Sequence, residues 1–375
     1  MEFSINGRRI GTAPNGDRHP VYVIAELSAN HGNDFQRAAD IVLAAAEAGA
    51  DAVKLQTYTA DTLTLDCDRP EFKIDQGTLW DGQTLYDLYQ QAHMPWEWQP
   101  RLKKIADEIG IALFSSPFDR TAVQFLESFH VPAYKIASFE IVDVGLIKDV
   151  AQAVSGTGRP VIVSTGMSTP EEIQRAVQTL RENGVQEIAL LKCTSAYPAP
   201  PESMNLATIA DMAERYQVPI GLSDHTLGIT AAVTSVAMGA AIIEKHVCLS
   251  RDDGGPDAAF SLEPNELAEL IQAVRTAEGA IGTIHYGTST SDANNRSFRR
   301  SLFVVEDIQK GQPLTRDNIR SIRPGQGLEP RFLNDVIGKI ASQDIARGTP
   351  LDWTLIVGQN SERSSEQVST ETQTR

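Results

Sequence analysis

Between about residue 20 and residue 280 the chain repeats one alternation eight times: a short β-branched run, then a longer helical segment. The runs are VYVIAE (21–26), AVKLQT (52–57), ALFSSP (112–117), AYKIAS (133–138), PVIVST (160–165), IALLKCTS (188–195), PIGLSDH (219–225) and AIIEKHV (241–247). Each is short and mostly apolar, which reads as a strand. The segment DFQRAADIVLAAAEAG carries Ala, Ile, Val and Leu at helical spacing and stops at Gly49. STPEEIQRAVQTLRENG has a Ser/Thr cap, Pro170 in the first turn, early acids and a Gly stop. Eight βα units predict an α/β fold of the closed (β/α)8, or TIM, barrel class. An open doubly wound sheet competes, but it carries about five or six parallel strands and often a glycine fingerprint after the first. Here the first strand runs into AELSANHG instead.

The flanks divide the chain into an expected barrel domain over 1–282, a polar linker over 283–299, a small β-rich domain over 300–358 and a disordered tail over 359–375. EFSINGRRIG at the start predicts a hairpin around Asn6-Gly7 that plugs the bottom of the barrel. DIQKGQPL and DIARGTPL form a crude internal repeat in the second domain. The long stretch between the second and third strands reads as an insertion on the active face. Lys and Arg total 33 against 49 Asp and Glu, so bulk charge argues against nucleic acid and anionic membranes as partners. An anionic ligand must therefore be held by a local pocket. Cys67, Cys193 and Cys248 make no CxxC, and Met1 is followed by polar residues. Nor does any apolar run approach the roughly 20 residues of a membrane span. A soluble cytoplasmic protein is expected.

Barrel chemistry is built at the carboxyl ends of the strands, and this chain loads that rim heavily. In order the strand ends supply Glu26, Asn30 and His31; Lys54 and Gln56; Ser115, Ser116 and Asp119; Lys135, Ser138 and Glu140. The later ones supply Ser164 and Thr165; Lys192, Thr194, Ser195 and Tyr197; Ser223, Asp224 and His225; Glu244, Lys245 and His246. A protein with no site has no use for such a gathering, because each buried polar group must be paired or costs about 1 to 3 kcal/mol. Lysines with serines suit an oxyanion such as phosphate, since ammonium groups neutralise charge and hydroxyls donate hydrogen bonds. Any single serine equally well satisfies the barrel's own backbone. His225 and His246 end adjacent strands and suit a shared divalent ion such as manganese, zinc or iron, or one of them serves as a general base. Glu26 and Glu140 are proton carriers if burial raises a pKa, or else salt-bridge partners of Lys54 or Lys135. The loop SRDDGGPDAAFSLEP is expected to be a flexible lid presenting Asp257 to ligand hydroxyls.

At these residues the sequence resembles the sialic acid synthase family of phosphoenolpyruvate-dependent nonulosonic acid synthases, and within it most resembles the pseudaminic acid branch. The motifs are AELSANH (25–31), GADAVKLQTY (49–58), AYKIASFE (133–140), STGM (164–167), CTSAYPAP (193–200), LSDHT (222–226), EKH (244–246), GGPDAAFSLEP (254–264) and SIRPGQGL (321–328), spread over nearly the whole chain. The resemblance implies a TIM barrel followed by an antifreeze-like (SAF, β-clip) domain swapped over the partner's active site in a homodimer. The implied reaction is a C–C bond-forming transfer. Phosphoenolpyruvate condenses with the open-chain aldehyde of an acylamino sugar, with C–O cleavage and loss of phosphate. By resemblance, Lys54, Ser116, Lys135, Ser138, Ser164 and Ser223 hold the phosphoenolpyruvate. His225 and His246 hold Mn2+ or Mg2+. Glu26, Ser195, Tyr197 and Asp257 contact the sugar, Glu140 positions or deprotonates the attacking water, and Arg323 reaches the N-acyl group from the partner.

Departures from the N-acetylneuraminate synthase pattern bear on the sugar. Ser195-Ala196 stands where those enzymes carry Asn, and AELSANHG replaces their AEIG and NHNG. Smaller residues before Tyr197 suit a bulky 4-acetamido group, as in 2,4-diacetamido-2,4,6-trideoxy-L-altrose; N-acetylneuraminate and legionaminate synthesis are the alternatives. Ser116 replaces a frequent Thr and keeps its hydroxyl. Two more distant rivals are a Schiff-base pyruvate aldolase using Lys192 or Lys135 and a non-catalytic carbohydrate- or ice-binding protein.

Overall fold

In the computed structural model residues 2–75, 77 and 80–358 are described. The tail expected over 359–375 lies outside the described residues. The chain divides into two compact units, Met1–Gly282 and Thr283–Arg375.

The first unit opens with strands β1 (Glu2–Ile5) and β2 (Arg8–Gly11), an antiparallel hairpin. Its two-residue turn needs left-handed backbone at both central positions, which Asn6 (φ 51°) and Gly7 (φ 79°) supply. Phe3, Ile5 and Ile10 are buried in the same apolar cluster as Tyr22, Ile24, Ala52, Ala112 and Ile162, so the hairpin closes one end of the interior as expected.

Eight parallel strands follow: β3 (Tyr22–Glu26), β4 (Ala52–Thr57), β5 (Ala112–Pro117), β6 (Tyr134–Ile136), β7 (Val161–Ser164), β8 (Ile188–Cys193), β9 (Ile220–Asp224) and β10 (Ile242–His246). They pair in sequence order, and β10 closes on β3, so the expected barrel is the observed one. Each strand is followed by helix because local signals start and stop it. Asp34 caps helix Phe35–Glu47 by accepting from the Gln36 and Arg37 N–H groups, and that helix turns Ala38, Ile41, Val42 and Ala45 to the core. Thr169 and Glu172 form a capping box on helix Pro170–Glu182. Strand β6 is shorter than its apolar run, because the chain after Ile136 leaves the ladder and enters a 3-10 turn at Glu140–Val142.

The second unit contains a two-stranded antiparallel sheet, β11 (Ser301–Val304) with β12 (Ile319–Ile322). The internal repeat is realised as a mutual pairing. Ile308 and Ile345 exchange backbone hydrogen bonds of 2.9 and 2.8 Å. Asp307 accepts from the Arg347 N–H, and Asp344 from the Lys310 N–H, each at 2.7 Å. Gly311 and Gly348 take matching φ of 87° and 88° in the two turns, and Leu314 and Leu351 enter one core.

Candidate active site

Side chains alternate across a strand, so the inward row at the carboxyl ends of the barrel follows from the register. Glu26 sits opposite both Lys54 and His246 in the ladder, Gln56 opposite Ser116, Ser223 opposite Glu244, and Cys193 opposite Ser223. These side chains converge. Lys54 Nζ lies 2.8 Å from Glu26 Oε2 and 3.6 Å from Glu244 Oε1, and donates to Ser116 Oγ at 3.3 Å. Lys135 Nζ donates to Ser164 Oγ at 2.7 Å and lies 3.6 Å from the same Glu244 oxygen, which also accepts from Ser223 Oγ at 3.3 Å. Glu244 and Lys135 belong to strands on opposite sides of the ring, β10 and β6, and meet across its interior.

Two ammonium groups are thus buried against two carboxylates. Burial pushes the Lys54 amine down, but Glu244 and Glu26 outweigh it and hold the pKa above the ordinary lysine value. For Lys135 burial wins, with Glu244 offsetting it only in part, and the pKa is lowered. Glu26 is raised by burial in spite of Lys54, whereas Glu244 is held low because Lys135 and Lys54 overcome its desolvation. By distance Glu26 pairs with Lys54, and its raised pKa fits the proton-carrier reading as well. Its second oxygen accepts from Gln56 Nε2 at 2.9 Å; Gln56 also donates to Ser28 Oγ at 3.0 Å, and Ser28 donates to Asp257.

Asp257 links this row to the histidines. Its carboxylate also accepts from the Ala29 N–H at 3.5 Å and lies 3.7 Å from His246 Nδ1, while Ser261 Oγ donates to its backbone carbonyl at 2.7 Å. Only 8% exposed and held at these points, Asp257 stands in the wall of the site, while residues 251–255 of the same loop are exposed. The loop around it forms 3-10 turns at Arg251–Asp253 and Ala258–Phe260 that seat it.

The imidazoles of His225 and His246 lie 5.3 Å apart between centroids, at 64°. His225 Nδ1 donates to the Thr194 carbonyl at 3.0 Å and lies 3.9 Å from the Cys193 sulfur. Burial pushes the ring's pKa down, but Cys193 and that carbonyl outweigh it and hold it above the ordinary histidine value, so Nε2 offers a lone pair once the ring gives up its second proton. His246 Nδ1 is buried without a hydrogen-bond partner, and burial beside His225 and the lysines holds that ring well below the ordinary histidine pKa, hence neutral. No group of three or more His, Cys, Asp or Glu able to hold a metal occurs among the described residues. The pair fits a divalent ion only if oxygens from substrate and water complete its shell. Tyr197 packs on His225 at 4.5 Å, Phe260 on His246 at 5.0 Å, and Trp80 on Tyr197 at 5.7 Å.

The remaining expected residues fall around this core. Ser138 Oγ accepts from the Gly166 N–H at 3.2 Å, and Ser195 Oγ lies 3.7 Å from the Cys193 sulfur. Glu140 sits on the turn after β6, with Oε2 buried and unpartnered; burial raises its pKa to about 7. Arg323 lies in the second unit, just past β12. Lys192 alternates out of the inward row, its amine donating to the Cys193 carbonyl at 2.9 Å. Gln56 and Glu244 are among the rim residues expected from the sequence but carry no assigned role there, and Ser28, Phe260 and Trp80 are not singled out. For Glu244 a signal existed: it precedes His246 by two positions on one strand and so shares its face.

A model of the NeuB family matches residues 41–286, and one of the SAF domain matches residues 299–357. A pseudaminic acid synthase of Campylobacter jejuni is 43% identical over 331 residues, covering 88% of this chain and 95% of that protein. A pseudaminic acid synthase of Helicobacter pylori is 42% identical over 333 residues, covering 88% and 96%. An N,N'-diacetyllegionaminic acid synthase of Legionella pneumophila is 34% identical over 349 residues, covering 92% and 96%. Among solved structures, an N-acetylneuraminic acid synthetase of Leptospira borgpetersenii in complex with citrate superposes with a TM-score of 0.68 at 30% identity, covering 79% of this chain and 95% of that one.

Proposed function

The chain belongs to the NeuB family, and from that premise we propose that it condenses phosphoenolpyruvate with an open-chain acylamino sugar and water to give a nonulosonic acid and phosphate. The observation that carries this reading is the convergence of Lys54 and Lys135 with Ser116, Ser164 and Ser223 beside the histidine pair. Phosphate and carboxylate of the enol substrate are held by Lys54 and Lys135 with Ser116, Ser138, Ser164 and Ser223. Glu244 and Glu26 keep Lys54 charged and in position until the anion arrives, and Glu244 offsets part of the burial that lowers the Lys135 pKa.

The enol carbon C3 attacks the sugar's aldehyde carbon, and the aldehyde oxygen takes up the negative charge. His225 and His246 would hold a divalent ion, Mn2+ or Mg2+, whose chemistry is to polarise that oxygen. C2 becomes cationic. Water adds to it, giving up a proton to Glu140, and the tetrahedral intermediate collapses with cleavage of the C–O bond to phosphate. Glu26, Ser195, Tyr197 and Asp257 orient the sugar. In this reading the chain is a homodimer in which the SAF domain of one protomer covers the barrel mouth of its partner and brings Arg323 to the N-acyl group. That arrangement gives cover to Phe139, Met167 and Leu227, exposed apolar residues that follow β6, β7 and β9. No helix among the described residues is long and apolar enough to cross a membrane, and the three cysteines are unpaired. Both fit work in the reducing cytoplasm.

The sugar we propose is 2,4-diacetamido-2,4,6-trideoxy-L-altrose, giving pseudaminic acid. The relatives at 42 and 43% identity and the small Ser195-Ala196 pair support this choice. Phosphate release is to be measured with phosphoenolpyruvate across a panel of acylamino sugars, with and without chelator. Chelator-sensitive release with the diacetamido altrose is expected. Turnover of N-acetylmannosamine but not of that sugar overturns the substrate, and activity indifferent to chelator overturns the cation.

A further inference from the structure

Directly behind the two histidines lies an ion pair whose side chains are both 0% exposed. Asp224 precedes His225 and Lys245 precedes His246, so alternation turns these charges away from the interior that the imidazoles face. Lys245 Nζ donates to Asp224 Oδ2 at 2.8 Å and to the Thr226 carbonyl at 2.5 Å, while Asp224 Oδ1 accepts from the Thr226 N–H at 2.9 Å. Burying two charges consumes most of what their attraction returns, and an apolar pair of similar volume stabilises a core as well. Fold stability alone therefore leaves this pair unexplained.

The strand register supplies a reason. The ladder between β9 and β10 runs from Leu222↔Ile243 to Asp224↔Lys245 and stops there. His225 lies one residue beyond its last pair, and His246 one residue beyond it on the other strand. Past that point the Lys245 amine, reaching over to the Thr226 carbonyl, is the clamp that ties the two strand exits together. It brackets His225 on both sides, through Asp224 and through Thr226. We propose that Asp224 and Lys245 are positioning residues that set the spacing and facing of the His225 and His246 imidazoles, so that the pair is shaped for a cation before substrate arrives. The inference rests on the reading of the histidines as a divalent cation site.

The test replaces the pair by Asp224→Leu with Lys245→Met, which removes both charges while keeping apolar volume, and adds Asp224→Asn as a milder change that carries the measurement if the double variant does not fold. Mn2+ binding is followed without substrates through loss of the free-ion paramagnetic resonance signal. The His225 ring is followed separately, by nitrogen NMR of 15N-histidine protein free of metal. The parent is expected to bind Mn2+ and, at a pH high enough for the ring to be neutral, to show His225 as the single tautomer protonated at Nδ1. The apolar double variant, folded by circular dichroism, is expected to bind at least tenfold more weakly and to show mixed tautomers. Equal Mn2+ affinity in parent and variant overturns the positioning role while leaving the cation site standing. If the parent binds no Mn2+, the cation reading falls, and unchanged His225 signals in the variants then overturn the positioning role as well.

Discussion

Glu140 is the residue on which the proposed chemistry and the thermodynamics of the fold make opposite demands. Its ordinary pKa of 4.5 is raised to about 7, chiefly by burial, with a backbone hydrogen bond and then the Lys135 charge opposing it. A carboxyl with a raised pKa binds its proton more tightly in the folded than in the unfolded protein. Stability is therefore undiminished below the unfolded value and falls as pH rises from about 4.5 to about 7, after which the loss is complete. A difference of about 2.5 pKa units at 1.36 kcal/mol each makes that loss about 3 kcal/mol. This is an upper bound, because the side chain is only partly buried even though Oε2 is enclosed. Glu140→Gln keeps the shape and abolishes the ionisation, so the variant should gain up to that amount over the parent between pH 5 and pH 8. The assay is denaturant unfolding of both proteins across that range. Over the same range the parent's kcat/KM should climb through about pH 7, as the base loses its proton. The variant should lack that limb and be slower by roughly 10²- to 10⁴-fold. Parallel stability curves for the two proteins would falsify the burial argument, and persistence of the limb in the variant would remove Glu140 from the proton transfer.

Two glycines allow sharper steric tests. A Cβ at Gly166 would stand 2.2 Å from Ser195 Oγ and 2.8 Å from Ser138 Oγ. Gly166→Ala should therefore displace both hydroxyls, raising KM for phosphoenolpyruvate or sugar at least tenfold at nearly unchanged melting temperature; a normal KM for both substrates excludes these serines from binding. A Cβ at Gly221, inside the barrel, would meet the Ile242 carbonyl oxygen at 2.5 Å and Leu191 Cδ2 at 2.6 Å. Because one of these atoms is strand backbone, Gly221→Ala should destabilise the fold by about 1 to 3 kcal/mol, and a thermal melt equal to the parent's contradicts that close approach.

Whatever depends on neighbours along the chain could be read from the order of amino acids. The period-two runs, the helix caps at Asp34 and Thr169 and the Asn6-Gly7 turn are local, and eight such units have few ways to close. The rim position of Lys54, Lys135, His225 and His246 followed from the same count. Tertiary structure alone decided which charges meet and in what state. Glu244 reaches Lys135 only because β10 and β6 face each other across a closed ring, and Asp257 is held in the wall of the site because Ser28, more than two hundred residues away in sequence, donates to it. The opposite shifts of Glu26 and Glu244 have the same origin. Both carboxylates are fully buried beside lysines, but Glu244 has two ammonium groups within reach and Glu26 one. A linear pattern fixes the face on which a side chain emerges; the dielectric around it and the charges opposite it exist only once distant strands have closed into one wall.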